Sequence, residues 1–410
     1  MPIGNWTNKI YTTILFVVMV VVGTSSWAQG NGLLIGETRL HLGLGLEGGY
    51  DTNVRYLPDK YALSDAQMNI KPRIELKTPE KAVSFEIDGT LNIIKYFGVE
   101  DESTVDNSTL NADANLNLTF NPKGQLKFVI SDIFSRNNDP RSDAIGNFNR
   151  TSNSAGASIG YTPSGGAFEL NLGYNFYFDL YDKDTGLEYM DAIAHQPELK
   201  IKWKFFTKTA LVIDSSMDIR SYPNSTTVNN VTIQNQDQMG IRATAGLMGL
   251  MTPRLSTTIK AGYGDTLSSK GDNYRSVIGK FELTYDFNIQ SRTSLGYIRD
   301  FQPASLYGYY GIDKIYAKFS YLFGGRLQLD LEGAFSYELF GKPLVEDANL
   351  KGNTDLVFEL GGSIEFMINK LLTIGIRERY LVRNSNRRDI GNEDISYSKN
   401  LSILFIKFYY

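Results

Sequence analysis

The chain contains no cysteine, only two histidines and few prolines among its 410 residues. Without cysteine there can be no disulfide bonds, no thiolate metal sites and no lipid anchor on an N-terminal cysteine. Beyond residue 28 the sequence also lacks any run of about 18 apolar residues, so no transmembrane helix is expected there. The net charge of −4 gives no basic excess, which argues against nucleic acid as a partner.

The first 28 residues have the pattern of a secretory signal peptide. Lys9 precedes an apolar run over residues 10–22, and Ser26 and Ala28 are the small residues expected before a cleavage site. A membrane anchor is the alternative, but the run is shorter than the roughly 20 residues that a spanning helix needs. We therefore expect cleavage before Gln29 and export of the mature chain.

Apolar and polar residues alternate from about residue 38 to Tyr410. In residues 110–120, leucine, alanine and phenylalanine occupy one set of alternate positions, and asparagine, aspartate and threonine occupy the other. Side chains in a strand point alternately to opposite faces, so this pattern predicts β-strands. Strands in soluble proteins are commonly about 5 to 6 residues long. The longer segments of this chain instead match tilted strands that cross a membrane.

Counting these segments gives about eighteen strands, joined by connections that are alternately short and long. The approximate spans are 38–50, 67–77, 82–97, 108–120, 124–135, 149–161, 167–181, 188–203, 208–222, 235–250, 254–266, 273–287, 292–300, 311–322, 326–340, 355–368, 371–383 and 395–410. The sequence thus predicts one all-β domain over residues 29–410, a transmembrane antiparallel up-and-down β-barrel of the outer-membrane type. An even strand number places the termini and the short turns in the periplasm. Pro72 and Pro197 interrupt the pattern, and bulges or strand ends are expected there.

The last strand carries a further signal. Phe408 and Tyr410 continue a series of alternate apolar residues, and the chain ends on an aromatic residue. This resembles the C-terminal signal that the barrel-insertion machinery reads, the alternative being an ordinary edge strand that happens to end in tyrosine. Aromatic residues also gather near the predicted strand ends, as in the two interfacial belts of membrane proteins.

The polar faces of the strands carry charges of both signs. The residues predicted to line a lumen are Lys71, Arg73, Glu86, Asp88, Asp113, Lys200, Lys202, Asp214, Asp218, Arg220, Asp330, Glu332, Glu359, Glu365, Arg377 and Arg379. Charges at this density are expected where water or a polar solute fills the lumen. Cross-strand ion pairs that stiffen the wall would give the same pattern, and the two interpretations are compatible.

No residue set in the sequence predicts catalysis, a cofactor or a metal. His41 falls on the polar face of the first strand and His195 on the outward face of the eighth, and neither has acidic or serine neighbours at a loop rim. Residues 43–48 match the dinucleotide pattern G-x-G-x-x-G, but they lie within a strand that no helix follows. Loops around residues 51–53 and 384–394 could take calcium, although they lack EF-hand spacing. We therefore expect neither an enzyme nor a cofactor.

The string at residues 49–54, with Tyr50, Asp51 and Asn53, ends the first predicted strand. A first strand that ends in Tyr-Asp-x-Asn-Val resembles the β-barrel porin 2 family. That family consists of large outer-membrane barrels often associated with exopolysaccharide or capsule export. The resemblance implies polysaccharide and periplasmic export components as partners. The family has no established catalytic residues, so none are transferred.

Three functions are compatible with these patterns. The first is an outer-membrane channel that serves as a conduit for exported polysaccharide, where the polysaccharide depends on the resemblance alone. The second is a general or nutrient diffusion porin, which a constriction loop at residues 136–148 or 223–234 would favour. The third is a surface adhesin or receptor barrel with no open channel. All three place the protein in the outer membrane of a Gram-negative cell, in contact with lipid and with the insertion machinery.

Overall fold

The computed structural model describes residues 32–98, 108–139, 148–163, 165–183, 185–228, 231–267, 272–343, 352–388 and 394–410. The predicted signal peptide lies outside these residues. Eighteen long antiparallel strands form one closed sheet. They are β1 Thr38–Asp51, β2 Asp65–Lys77, β3 Val83–Tyr96, β4 Thr109–Phe120, β5 Leu126–Asn137, β6 Arg150–Tyr161, β7 Phe168–Tyr181, β8 Ala192–Phe206, β9 Thr209–Ser221, β10 Gln238–Thr252, β11 Leu255–Asp265, β12 Arg275–Asn288, β13 Ser291–Ala304, β14 Gly308–Phe323, β15 Leu327–Phe340, β16 Thr354–Met367, β17 Leu372–Ser385 and β18 Tyr397–Tyr409.

Each strand pairs with its sequence neighbours, and β18 closes the ring by pairing with β1. The closing pair runs from Gly43 opposite Tyr409 to Asp51 opposite Leu401. Backbone hydrogen bonds between Leu42 and Tyr410 extend the pairing to the end of the chain. Because closure pairs the edges of the first and last strands, the ring has the architecture that spans a membrane without exposing unpaired backbone groups. The predicted all-β, eighteen-stranded barrel is confirmed.

The connections alternate in length as the sequence predicts. Short turns join β2 to β3 and the following even-numbered strands to their successors, and Gly324 and Gly325 both adopt positive φ in the turn after β14. The opposite end carries the longer loops, including a hairpin of Ser225–Val228 with Val231–Gln234. A short strand, Leu33–Ile35, pairs with β1 at the short-turn end. By the usual orientation of outer-membrane barrels, the short-turn end is periplasmic and the long-loop end extracellular.

Two details of the strands differ from the predictions. The expected bulges at Pro72 and Pro197 are absent from the described pairing, since both strands keep the same register on either side of each proline. A proline without an N–H interrupts the hydrogen-bond ladder locally but does not require an extra residue. The predicted long connection after residue 300 is also wrong, because β13 and β14 extend until only residues 305–307 join them.

The outer face of the barrel is an apolar belt. Leu404, Leu172 and Ile315 belong to it, with 68%, 52% and 54% of their surfaces exposed. Large apolar side chains exposed all round a closed sheet cannot form a soluble surface, whereas a lipid bilayer covers them without cost. The protein is therefore an outer-membrane barrel. Within the described residues no helix is long and apolar enough to cross a membrane.

Candidate functional site

The face opposite the apolar belt points into the barrel. Residues paired directly across neighbouring strands share a face, so each register assigns whole rows of side chains to the inside or the outside. Asp214 pairs with Lys200 on β8, and Ser363 pairs with Arg377 on β17. When the pairing is traced from strand to strand round the ring, all sixteen residues predicted to line the lumen fall on the inward face.

The lumen is accessible to water. The inward side chains of Lys318 and Glu332 are 62% and 66% exposed, and that of Lys200 is 57% exposed. Charged groups that lie inside a ring of strands and still contact solvent require a space between the walls. The barrel therefore encloses a hydrated, polar interior.

Many of the inward charges are also paired along the wall. Arg73 approaches Asp88 to 2.7 Å, and Lys407 approaches Glu365 to 2.9 Å. Glu47 is almost fully buried between Lys71 at 2.8 Å and Arg377 at 3.1 Å. Both sequence interpretations thus describe the same residues, because a lumen wall can be hydrated and cross-linked at once.

An apolar cluster gathers at the extracellular end, and we call it the mouth cluster. Its members are Tyr181, Tyr189, Met190, Ile233, Ala304, Leu306, Tyr307, Tyr310 and Phe340. They come from the β7–β8 and β9–β10 loops, the β13–β14 turn and the ends of strands. Along the wall, β8 and β13 lie five strand spacings apart, or roughly 24 Å. Side chains from both can meet only if their loops reach across the opening.

Polar contacts fasten these loops to one another. The amide of buried Asn235 donates to the carbonyl of Tyr189 at 2.7 Å, and its oxygen accepts the N–H of Leu306 at 2.8 Å. Asn235 therefore joins the β7–β8 loop to the β13–β14 turn. From the other side, the Arg387 guanidinium lies 3.6 Å from the centre of the Phe340 ring and pairs with Asp355 at 2.6 Å. The extracellular mouth is thus crossed by a connected set of side chains.

A second extracellular segment, the β1–β2 loop, folds inward. Tyr56 packs against the inward residues Val357, Leu381 and Tyr397, and its hydroxyl donates to Asp139 at 2.8 Å. Burial, together with the Asp139 carboxylate, raises the pKa of Tyr56. This contact joins the β1–β2 loop to the residues that follow β5, and Tyr56 and Asp139 line one cavity together with inward residues of the wall.

The string that carries the family resemblance anchors this loop. Asp51 accepts a hydrogen bond from Lys399 at 2.7 Å, and the Asn53 amide donates to the carbonyls of Leu57 and Ser398. Tyr50 faces outward and is partly exposed. Because Lys399 occupies the Asp51 carboxylate, this position offers no calcium site. In the 384–394 loop Asp394 pairs with Arg388, and residues 389–393 lie outside the described residues.

The remaining predicted positions are dispersed. Phe408 lies on the outward face, and Tyr410 is buried against β1. His41 stacks on Tyr409, and His195 contacts the hydroxyl of Tyr174 on the outer face at 2.6 Å. Across the part of the chain that the structure describes, no group of three His, Asp or Glu side chains is placed to hold a metal. Insertion by the barrel machinery stays a prediction.

Comparisons with known proteins return structural neighbours only. No family model and no curated protein matches the sequence, so the resemblance to the β-barrel porin 2 family also stays a prediction. Among solved structures, Pseudomonas aeruginosa OpdQ is 10% identical, with a TM-score of 0.47 over 92% of this chain and 100% of that one. Acinetobacter baumannii OccAB3 is 13% identical, with a TM-score of 0.47 and the same coverages. Pseudomonas aeruginosa OccK8 (OprE) is 9% identical, with a TM-score of 0.48, over 92% of this chain and 98% of that one. At these values, function has to be argued from the residues of this chain.

Proposed function

We propose that the protein is a diffusion channel for small polar solutes across the outer membrane. The single observation that carries this proposal is the lumen itself, which is hydrated and lined by charges of both signs beneath a mouth that inward-folded loops narrow. A wide barrel supplies the path, and the loops supply the size limit.

The contacts at the mouth favour small solutes over a polymer. An exported polysaccharide needs an opening along its whole path, whereas Asn235 and Tyr56 each bridge segments from separate parts of the ring. Ile233 of the 223–234 loop is a buried member of the mouth cluster, which supports a role for this loop as the constriction of a porin. The polysaccharide conduit therefore has the weaker support, and a plugged adhesin barrel is a second outcome that the experiment below can reveal.

Liposome swelling with sugars of graded size tests the proposal. Liposomes that contain the protein should admit pentoses and hexoses and should discriminate steeply against tri- and tetrasaccharides. Phe340→Ala removes a buried ring that stacks on Tyr310 and supports Arg387, so it should raise the rate for trisaccharides several-fold. Phe335→Ala, on the lipid-facing side of the same strand, is the matched control and should leave all rates unchanged.

Two results would contradict the proposal. Liposomes that exclude pentoses as completely as protein-free liposomes would indicate a barrel without a channel. Equal entry rates for pentoses and for oligosaccharides of many units would instead indicate a polymer conduit.

A further inference from the structure

A cavity of 320 Å³ lies beneath the inward-folded β1–β2 loop, and five amide side chains line one side of it. We call it the amide pocket and define it by Gln67, Asn69, Asn92, Asn111 and Asn138. The first four come from the extracellular parts of β2, β3 and β4, where all of them face inward, and Asn138 follows the end of β5. The lining continues past β1 onto β17 and β18, with Arg379 among its residues.

Two of these amides have carbonyl oxygens without a hydrogen-bond partner. Asn69 is 3% exposed, and its amide nitrogen donates to Glu47 at 3.2 Å, while its oxygen is unpaired in the described structure. The buried oxygen of Asn92 is likewise unpaired. Buried acceptors are normally satisfied, so two unpaired ones that line one cavity point to a ligand with hydrogen-bond donors.

The charges around the pocket restrict the chemistry of that ligand. Glu47 and Asp51 are already paired with Lys71, Arg377 and Lys399. Asp139 also lines the cavity, and its carboxylate accepts a hydrogen bond from the Tyr56 hydroxyl. Arg379 has no carboxylate within ion-pair distance among the described residues, so its N–H groups remain available as donors. Asp139 and Arg379 thus place one further charge of each sign in the lining, so a cation would meet the guanidinium and an anion would meet the carboxylate. The open surface therefore combines neutral acceptors with donors.

From these features we infer that the amide pocket is a binding subsite for a small neutral polyhydroxylated solute, a monosaccharide or a polyol. Hydroxyl groups both donate and accept, so they satisfy the Asn69 and Asn92 oxygens and accept from Arg379. Tyr56 and Tyr96 line the same cavity and offer aromatic surface to the apolar C–H face of a sugar ring. The volume lies at the lower end of the roughly 300–1,000 Å³ typical of small-molecule sites, which favours one ring over a chain.

This inference rests on the proposed channel, because the pocket opens to the lumen that a solute would traverse. Ion current through single channels in a planar bilayer provides the readout, with glucose and sorbitol as probes. Bound sugar should reduce the current saturably. Asn69→Ala and Asn92→Ala should each raise the sugar concentration that gives half of the maximal reduction in current. The expected rise is about tenfold, a typical loss when a buried hydrogen bond is removed. Asn115→Ala, on the inward face of β4 but outside the pocket, should match the unmodified protein.

The outcomes separate this inference from the proposed function. Absence of any ion current would contradict the channel itself. Normal current without saturable reduction by glucose or sorbitol would overturn the binding subsite alone. The binding subsite would also be overturned if the half-saturating sugar concentration were unchanged in Asn69→Ala and Asn92→Ala. Tighter binding of gluconate than of glucose would overturn it as well. Normal current in each variant in the absence of sugar shows that its barrel is folded.

Discussion

At the scale of single residues, the lumen wall contains charges of two kinds. Glu47 is nearly buried and forms ion pairs with both Lys71 and Arg377, whereas Glu332 is 66% exposed and approaches Lys318 only to 4.0 Å. Exposed pairs contribute about 0–1 kcal/mol, because water solvates each ion almost as well as its partner does. Removing one partner of a buried pair costs more, since the other charge remains without compensation.

These two glutamates give a matched prediction. Glu47→Gln keeps the side-chain shape but leaves Lys71 and Arg377 without their anion, so it should lower the free energy of unfolding by about 2 kcal/mol. Glu332→Gln should change it by less than about 0.5 kcal/mol. Reversible urea unfolding in lipid vesicles measures both values. Equal losses for the two variants would show that burial does not separate these charges.

At the scale of strands, the sequence predicts the wall well. Alternation reports the face of each residue directly, so the strand number, the parity of the charged residues and the short turns all follow from it. The pattern fails at the end of β13, where the apolar Phe301 is followed by Gln302 and Pro303. The predicted strand ends at residue 300, yet in the structure Pro303 is still paired opposite Tyr309.

The candidate site is much less predictable from the sequence. The mouth cluster unites loops that are distant in sequence, and residues in loops have no periodicity to indicate that they fold inward. Tyr56 and Asn235 therefore gave no signal. The amide pocket had a weak one, because Asn69, Asn92 and Asn111 share inward parity near the extracellular ends of consecutive strands. Only the registers show that these positions lie side by side.

One strand pair depends on a glycine. A Cβ on Gly262 of β11 would lie 2.6 Å from the Cα of Thr244 on β10 and would overlap the Ala243 carbonyl oxygen. Gly262→Ala must push the two backbones apart, and we expect a loss of about 2 kcal/mol in unfolding free energy. At Gly333 the nearest atom would be 3.7 Å away, an ordinary contact, so Gly333→Ala is the control. If both variants unfold at the same urea concentration, close strand approach at Gly262 is not required.

At the scale of the whole molecule, the two ends of the barrel differ. The described part of the periplasmic end consists of short turns, the Leu33–Ile35 strand and the C-terminal Tyr410. The extracellular end is crossed by the mouth cluster and by the β1–β2 loop. A solute that enters the proposed channel from outside therefore meets the mouth cluster and the β1–β2 loop before it reaches the charged lumen.

This asymmetry is the central claim, and polymer exclusion measured from each side tests it most directly. Single-channel conductance is recorded in a planar bilayer while polyethylene glycols of graded size are added to one side at a time. We expect a small size limit for entry from the extracellular side and a clearly larger limit from the periplasmic side. Phe340→Ala should raise the extracellular limit alone. Equal limits from the two sides, or no conductance at all, would contradict the account.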